Sequence, residues 1–207
     1  MTPSFFGATT RRRFLPLVAA LIAGLSPVQA VELAAQSTTN PAHATEPTVV
    51  ILVRHAEKAP APANDPVLDS TGIRRAEMLL EVVRDAKVTA VYTTPYARTR
   101  LTAEPVTKEL GLTPSVVEIK GGTPVHVKAV ADRVLAEQRG RVSLVVGHSN
   151  TIPLIVRALG GSAPDQLEDH EYDNLFIVTI PPSGPVITLR ARYGPANPAV
   201  ASAPGMK

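Results

Sequence analysis

The residues in this chain best equipped for chemistry fall into three short groups. Arg54-His55 follows the apolar run Val50-Ile-Leu-Val53, Arg98 and Arg100 follow Tyr92-Thr-Thr-Pro-Tyr-Ala97, and His148 follows Val145-Val-Gly147 and precedes Ser149. A neutral imidazole is a competent nucleophile or proton carrier, and a guanidinium is a planar, permanent cation that grips oxyanions through paired N–H groups. Singly, each has a plain explanation. A histidine at the end of a strand is usually a hydrogen-bonded structural residue, and a lone arginine is usually solvated. Jointly, two histidines and two arginines brought to one crevice repel each other unless an anion occupies it. A phosphate-sized anion is the expectation.

Bringing these groups together requires parallel strands that end side by side. Strand-like apolar runs cover Val49–Val53, Thr89–Thr93, Ser115–Ile119, Val142–Val146, Leu175–Ile180 and Val186–Ala191. Between them, Ile73, Ala76, Leu80 and Val83 keep the spacing of one helical face. Val127, Val130 and Val134 repeat that spacing behind Thr123-Pro124, a cap followed by proline at the first helical position. This alternation predicts an α/β three-layer sandwich with a mainly parallel central sheet. The last two strands, joined by Pro181-Pro-Ser-Gly-Pro185, are expected to pair as an antiparallel hairpin at one edge. In such sheets ligands bind beyond the carboxyl ends of the strands, where all three groups fall. The turn at Gly147 adds close backbone approach and a helix N-terminus near Asn150 or Thr151, both suited to an anion.

Length and charge narrow the rest. At 207 residues the chain suits one domain with tails. Its +3 formal charge comes from Arg11, Arg12 and Arg13, without which basic and acidic residues balance at 18 each. A neutral remainder gives no warrant for nucleic-acid or membrane-surface binding. Residues 1–30 read as a signal peptide: a basic start, the apolar run Phe14 to Leu25, and small residues at Val28 and Ala30. Thr10-Arg-Arg-Arg-Phe-Leu15 also resembles a twin-arginine export signature, with an ordinary secretory signal as the alternative. The apolar run is short for a membrane span, so an exported protein, periplasmic or secreted, is expected without a stable membrane anchor. Residues 31–47 read as a flexible linker, 48–193 as the folded domain and 194–207 as a disordered tail. Cysteine is absent, which removes disulfides, thiol nucleophiles and cysteine-ligated zinc.

Arg54-His55-Ala-Glu57, Thr94-Pro-Tyr-Ala-Arg98 with Thr102-Ala103, and Gly147-His148-Ser149, in that order, resemble the motifs of the histidine phosphatase superfamily. The resemblance spans 48–193, is nearest to the small cap-free members, and implies the phosphoglycerate mutase-like fold. It implies that His55 is the nucleophile, becoming phosphohistidine, that Arg54, Arg98 and His148 clamp the phosphoryl oxygens, and that neither metal nor cofactor takes part.

Two departures stand out. Ala56 replaces the glycine most frequent in that family, and its methyl group is expected to crowd the phosphate. The family's usual acid has no counterpart, since Ser149 occupies one of its positions; Glu57 is the first candidate and Glu118 the second, each also readable as a surface carboxylate. Lys58, Asn64 and Ser149 are candidate substrate contacts. Arg100 reads as an exposed helical residue and His126 as structural or exposed. His170, within Glu168-Asp-His-Glu171, is a weaker metal candidate than an acidic solvated loop. The expected activity is an exported phosphomonoesterase acting on a phosphorylated small molecule or envelope component. The rivals are a phosphatase of protein phosphohistidine and a non-catalytic phosphate-binding module.

Overall fold

The computed structural model describes residues 45–197. The expected signal peptide lies outside the described residues, as does most of the expected linker and tail. Among the described residues no helix is long and apolar enough to cross a membrane.

The chain runs β1 (Thr48–Arg54), α1 (Ser70–Val83), β2 (Val88–Thr93), α2 (Ala97–Glu109), β3 (Ser115–Val116), α3 (Thr123–Glu137), β4 (Val142–Gly147), α4 (Ile152–Ala158), β5 (Asn174–Ile180) and β6 (Ile187–Arg192). One six-stranded sheet has the order β3-β2-β4-β1-β5-β6. β1, β2, β3 and β4 pair in parallel, whereas β5 pairs antiparallel with both β1 and β6. The expected edge hairpin is therefore present.

β1 reads as an unbroken apolar run because both of its faces are buried. Val50 and Leu52 point into a core shared with Val127, Val130 and Val134 of α3 and Ile152 and Ile155 of α4. Ile51 and Val53 point to the opposite face, with Leu79 and Val83 of α1 and Ala103 and Val106 of α2. These two cores are the interfaces of the three-layer sandwich.

α1 starts at Asp69, whose carboxylate accepts from the N–H groups of Thr71 and Gly72, both at 2.8 Å. Its first turn sits on the backbone that follows His55. A Cβ on Gly72 would lie 2.2 Å from the carbonyl oxygen of Glu57, so only glycine permits this approach.

Two expectations need correction. The third strand, expected over Ser115–Ile119, pairs as a strand only at Ser115–Val116. Val117 adds one bond to the Thr93 carbonyl, and the chain then leaves the sheet edge so that the Glu118 carbonyl reaches His126. The domain was expected to end at Tyr193, yet residues just beyond it are tied down. Pro195 accepts from Arg75 at 2.8 Å, and Asn197 bonds the Tyr172 N–H at 3.0 Å and the Asp173 carboxylate at 2.6 Å. A run of Gly, Pro and Ala carries no periodicity, so these bonds leave no trace in the sequence pattern.

Candidate active site

The carboxyl ends of β1, β2 and β4 open into a cleft of about 330 Å³ lined by Arg54, His55, Arg98 and His148. β1 and β4 set the two histidines beside each other, with ring centroids 5.4 Å apart and the rings edge to face. The His55 N–H donates to the Gly147 carbonyl at 2.9 Å, extending the β1–β4 ladder to the first histidine of the cleft.

His55 is buried, and its Nδ1 lies 2.9 Å from the Ala56 carbonyl oxygen. A carbonyl only accepts, so Nδ1 carries the proton and Nε2 keeps the lone pair. Burial above all, then the charges of Arg54, His148 and Arg98, lower its pKa to about 3. The ring is thus neutral and nucleophilic at ordinary pH.

His148 is held from behind. Its N–H donates to Thr151 Oγ1 at 2.9 Å, and its Nε2 lies 3.1 Å from Thr94 Oγ1. Its Nδ1 lies 3.5 Å from Arg98 Nη2, which can only donate; Nδ1 is therefore the acceptor and Nε2–H donates to Thr94. Burial, followed by Arg98, His126 and Arg54, brings this pKa to about 3 as well.

The two arginines are positioned differently. Arg98 stands in the first turn of α2, with its guanidinium 4.3 Å from the Tyr96 ring centroid and Asp65 at 3.9 Å. Asp65 also caps the helix by accepting from the Ala97 N–H at 2.8 Å. Arg54 is buried and lies 4.1 Å over the Tyr172 ring. Its Nη1 donates to the carbonyls of Glu168 at 2.8 Å and Asp169 at 3.0 Å, while its buried Nε has no partner among the described residues. An orphaned, buried cationic N–H at the wall of a cleft is what an oxyanion satisfies.

Glu57 does not fit the role of acid. Arg75, fully buried, donates to it from Nε at 2.9 Å and Nη2 at 2.7 Å, and the carboxylate is not among the residues lining the cleft. The sequence pattern placed Glu57 two residues past the nucleophile but did not show that its side chain turns away toward α1. Glu118 is exposed, with Lys120 at 4.0 Å, and touches the interior only through its carbonyl bond to His126.

Ala56 is also corrected. Its methyl group packs with Leu68, Ala76 and Leu101 instead of facing the anion, and its N–H donates to Thr102 Oγ1 at 2.9 Å. Ala56→Gly is therefore expected to leave phosphate affinity and kcat unchanged while lowering stability by about 1 kcal/mol, read by phosphate titration and urea melts.

Lys58, Asn64 and Ser149 all line the cleft. Arg100 is exposed, and His126 is buried with Nδ1 3.1 Å from the Glu118 carbonyl. Among the described residues no three His, Cys, Asp or Glu side chains gather to hold a metal ion, so His170 and its neighbouring carboxylates form no such group. Sequence reasoning missed Tyr96, Tyr172, Thr94 and Asp169. Tyr96 and Thr94 lie inside a motif already singled out. Asp169 lies inside the acidic run Glu168-Asp-His-Glu171, read there as solvated, and Tyr172 gave no signal; the place of both depends on Arg54, more than a hundred residues earlier.

The two neutral histidines make the fold sensitive to acid. Folded, each stays unprotonated down to about 3; unfolded, each takes a proton near the ordinary 6.5. Between those values the unfolded chain binds more protons, so stability falls as pH drops from 6.5 toward 3. The loss is up to about 1.4 kcal/mol per pH unit for each ring. Urea midpoints are expected to be lower at about pH 5 than at about pH 7, with part of the difference removed in His148→Asn.

Residues 50–120 match the family model for the histidine phosphatase superfamily, branch 1. No curated protein matches the chain. Among solved structures, the protein histidine phosphatase SixA complexed with tungstate is similar at TM-score 0.53 and 18% identity, covering 70% of this chain and 96% of that one. The alpha-ribazole phosphatase from Shigella flexneri is similar at TM-score 0.51 and 15% identity, covering 64% and 94%. Mycobacterial hydrolase 2 is similar at TM-score 0.52 and 13% identity, covering 75% and 94%. At these identities the structures speak for the fold, and the family model speaks for the segment bearing Arg54, His55 and Arg98. Segment and fold agree: residues 50–120 are similar to the histidine phosphatase superfamily, branch 1, and the domain has the phosphoglycerate mutase-like fold of these structures.

Proposed function

We propose that this protein is an exported phosphomonoesterase that works through a phosphohistidine on His55 and needs no metal. The observation that carries the reading is the tautomer of His55: Nδ1–H is tied to the Ala56 carbonyl, which leaves a free Nε2 lone pair inside a ring of Arg54, Arg98 and His148. Nε2 attacks phosphorus as the bond to the leaving oxygen breaks. Phosphoryl transfer asks chiefly for in-line positioning and for charge stabilisation on three equatorial oxygens. The orphaned Nε of Arg54 and the guanidinium of Arg98 offer that stabilisation. His148 joins them once it takes a proton alongside the bound dianion. Water then attacks the phosphohistidine, releasing phosphate and restoring His55. Export rests on the leader-like sequence of residues 1–30.

A second reading, a phosphatase of protein phosphohistidine, is favoured by the tying of Glu57 to Arg75, because a phosphoramidate leaves more readily than an alkoxide. The test is a quench of the full chain during turnover of a radiolabelled aryl phosphate, with and without chelator. A protein-bound phosphate that is stable in base and labile in acid, formed equally in chelator, is expected. Turnover lost in chelator and restored by a divalent cation overturns the metal-free reading. Assaying a phosphohistidine peptide beside an aryl phosphate ranks the two substrate classes by kcat/KM.

A further inference from the structure

With Glu57 held by Arg75 and Glu118 on the surface, the leaving oxygen has no proton donor at the positions the sequence suggested. Three further carboxylates near the site are also engaged, and that of Glu168 does not line the cleft. Asp65 caps α2, Glu171 bonds Arg190 and Arg192 and accepts from the Glu168 N–H, and Asp173 bonds Arg192 and Asn197. Asp169 differs from all of them. It is the one carboxylate among the described residues lining the cleft, it is exposed, and its side chain has no hydrogen bond or ion pair among the described residues. Its backbone is fixed to the site, since the Asp169 carbonyl accepts from Arg54 Nη1 at 3.0 Å. A free carboxylate in a cleft built from cations opposes a bound dianion unless a proton lies between them. Such a group weakens anion binding, and beyond offsetting the charge of Arg54 it has a use in proton transfer.

We propose that Asp169 is the general acid of this reaction, protonating the leaving oxygen of a phosphomonoester from the cleft wall. The inference rests on His55 as nucleophile. As the His55 Nε2–P bond forms and the P–O bond breaks, the electron pair of that bond goes to the leaving oxygen, which takes the proton of the Asp169 carboxyl group. The carboxylate so formed takes a proton from the water that attacks the phosphohistidine, so both residues return to their starting states. The substrate class then includes esters of poor leaving groups, such as sugar and other alkyl phosphates, and not only activated phosphates.

The test compares kcat/KM of the full chain and of Asp169→Asn over aryl phosphates of graded leaving-group basicity, from a dinitrophenyl ester to phenyl phosphate, together with an alkyl phosphate. This ratio reports the steps up to P–O cleavage. Asp169→Asn is expected to stay within a few-fold of the parent on the dinitrophenyl ester, whose leaving group needs no proton. It is expected to fall about 10²-fold or more at the basic end, giving a steeper dependence on leaving-group basicity. A uniform loss across the series, or no loss at its basic end, overturns the proposal. So does finding the steeper slope in Tyr172→Phe instead. Because Asp169 is exposed, its thermal midpoint is expected to be unchanged, which separates a chemical effect from misfolding. Turnover retained by His55→Ala strikes at the nucleophile assignment. Turnover that needs His55 but shows a flat Asp169→Asn profile defeats only the proton donor.

Discussion

His55→Ala is expected to lower kcat on an aryl phosphate by roughly 10⁴-fold or more, while inorganic phosphate still binds. The size follows from the division of labour in the cleft. Arg54, Arg98 and His148 provide a charged cradle that survives the substitution, so the variant keeps an anion site. It loses the proposed attack on phosphorus that breaks the ester bond. Alanine also deletes a buried ring that costs stability below neutral pH, so the variant is expected to tolerate mild acid at least as well as the parent. Titration of phosphate by calorimetry beside the activity assay separates the two effects. Loss of phosphate binding equal to the loss of activity would mean that His55 holds the anion instead of attacking it.

Arg75→Ala is expected to be the most damaging single change to stability, at about 3–5 kcal/mol. Arg75 is fully buried in α1 and donates to Glu57 through two nitrogens, and to the carbonyls of Tyr193 at 2.8 Å and Pro195 at 2.8 Å. Removing it strands a largely buried carboxylate and two acceptors while opening a cavity. Replacing both partners by apolar residues of similar volume, as in Arg75→Met with Glu57→Leu, relieves the stranded charge. That pair is expected to recover much of the loss. Urea denaturation of the single and double variants measures this. If the double variant is no better than Arg75→Ala, the damage comes from the lost carbonyl contacts and not from the ion pair.

Much of the architecture was legible because it rests on periodicities. The apolar run of β1 and the helical spacing of Val127, Val130 and Val134 report burial on specific faces, and the structure buries those faces. The four central site residues were legible because strand ends converge in a parallel sheet. The side-chain directions were not. Whether Glu57 points to the cleft or to α1 depends on Arg75, and whether Ala56 faces the anion depends on Leu68 and Ala76. Those partners lie a dozen or more residues away, and no local pattern encodes the pairing. The loop bearing Asp169 and Tyr172 was opaque for the same reason, since its anchor is a guanidinium at the far end of the fold in sequence.

The placement of β1 has a consequence for how the enzyme comes into being. The strand that delivers Arg54 and His55 is flanked by residues 142–147 on one side and 174–180 on the other. During synthesis the first strand of the domain waits for nearly the last ones, and no amino-terminal fragment ending before β4 has the pairing that holds His55 in place. Closing loops of this length slows folding, and an unpaired Val50-Ile-Leu-Val53 is a sticky segment in the meantime. The nascent chain therefore has a long window in which it is exposed to aggregation, and β1 lacks its second neighbour until β5 is made.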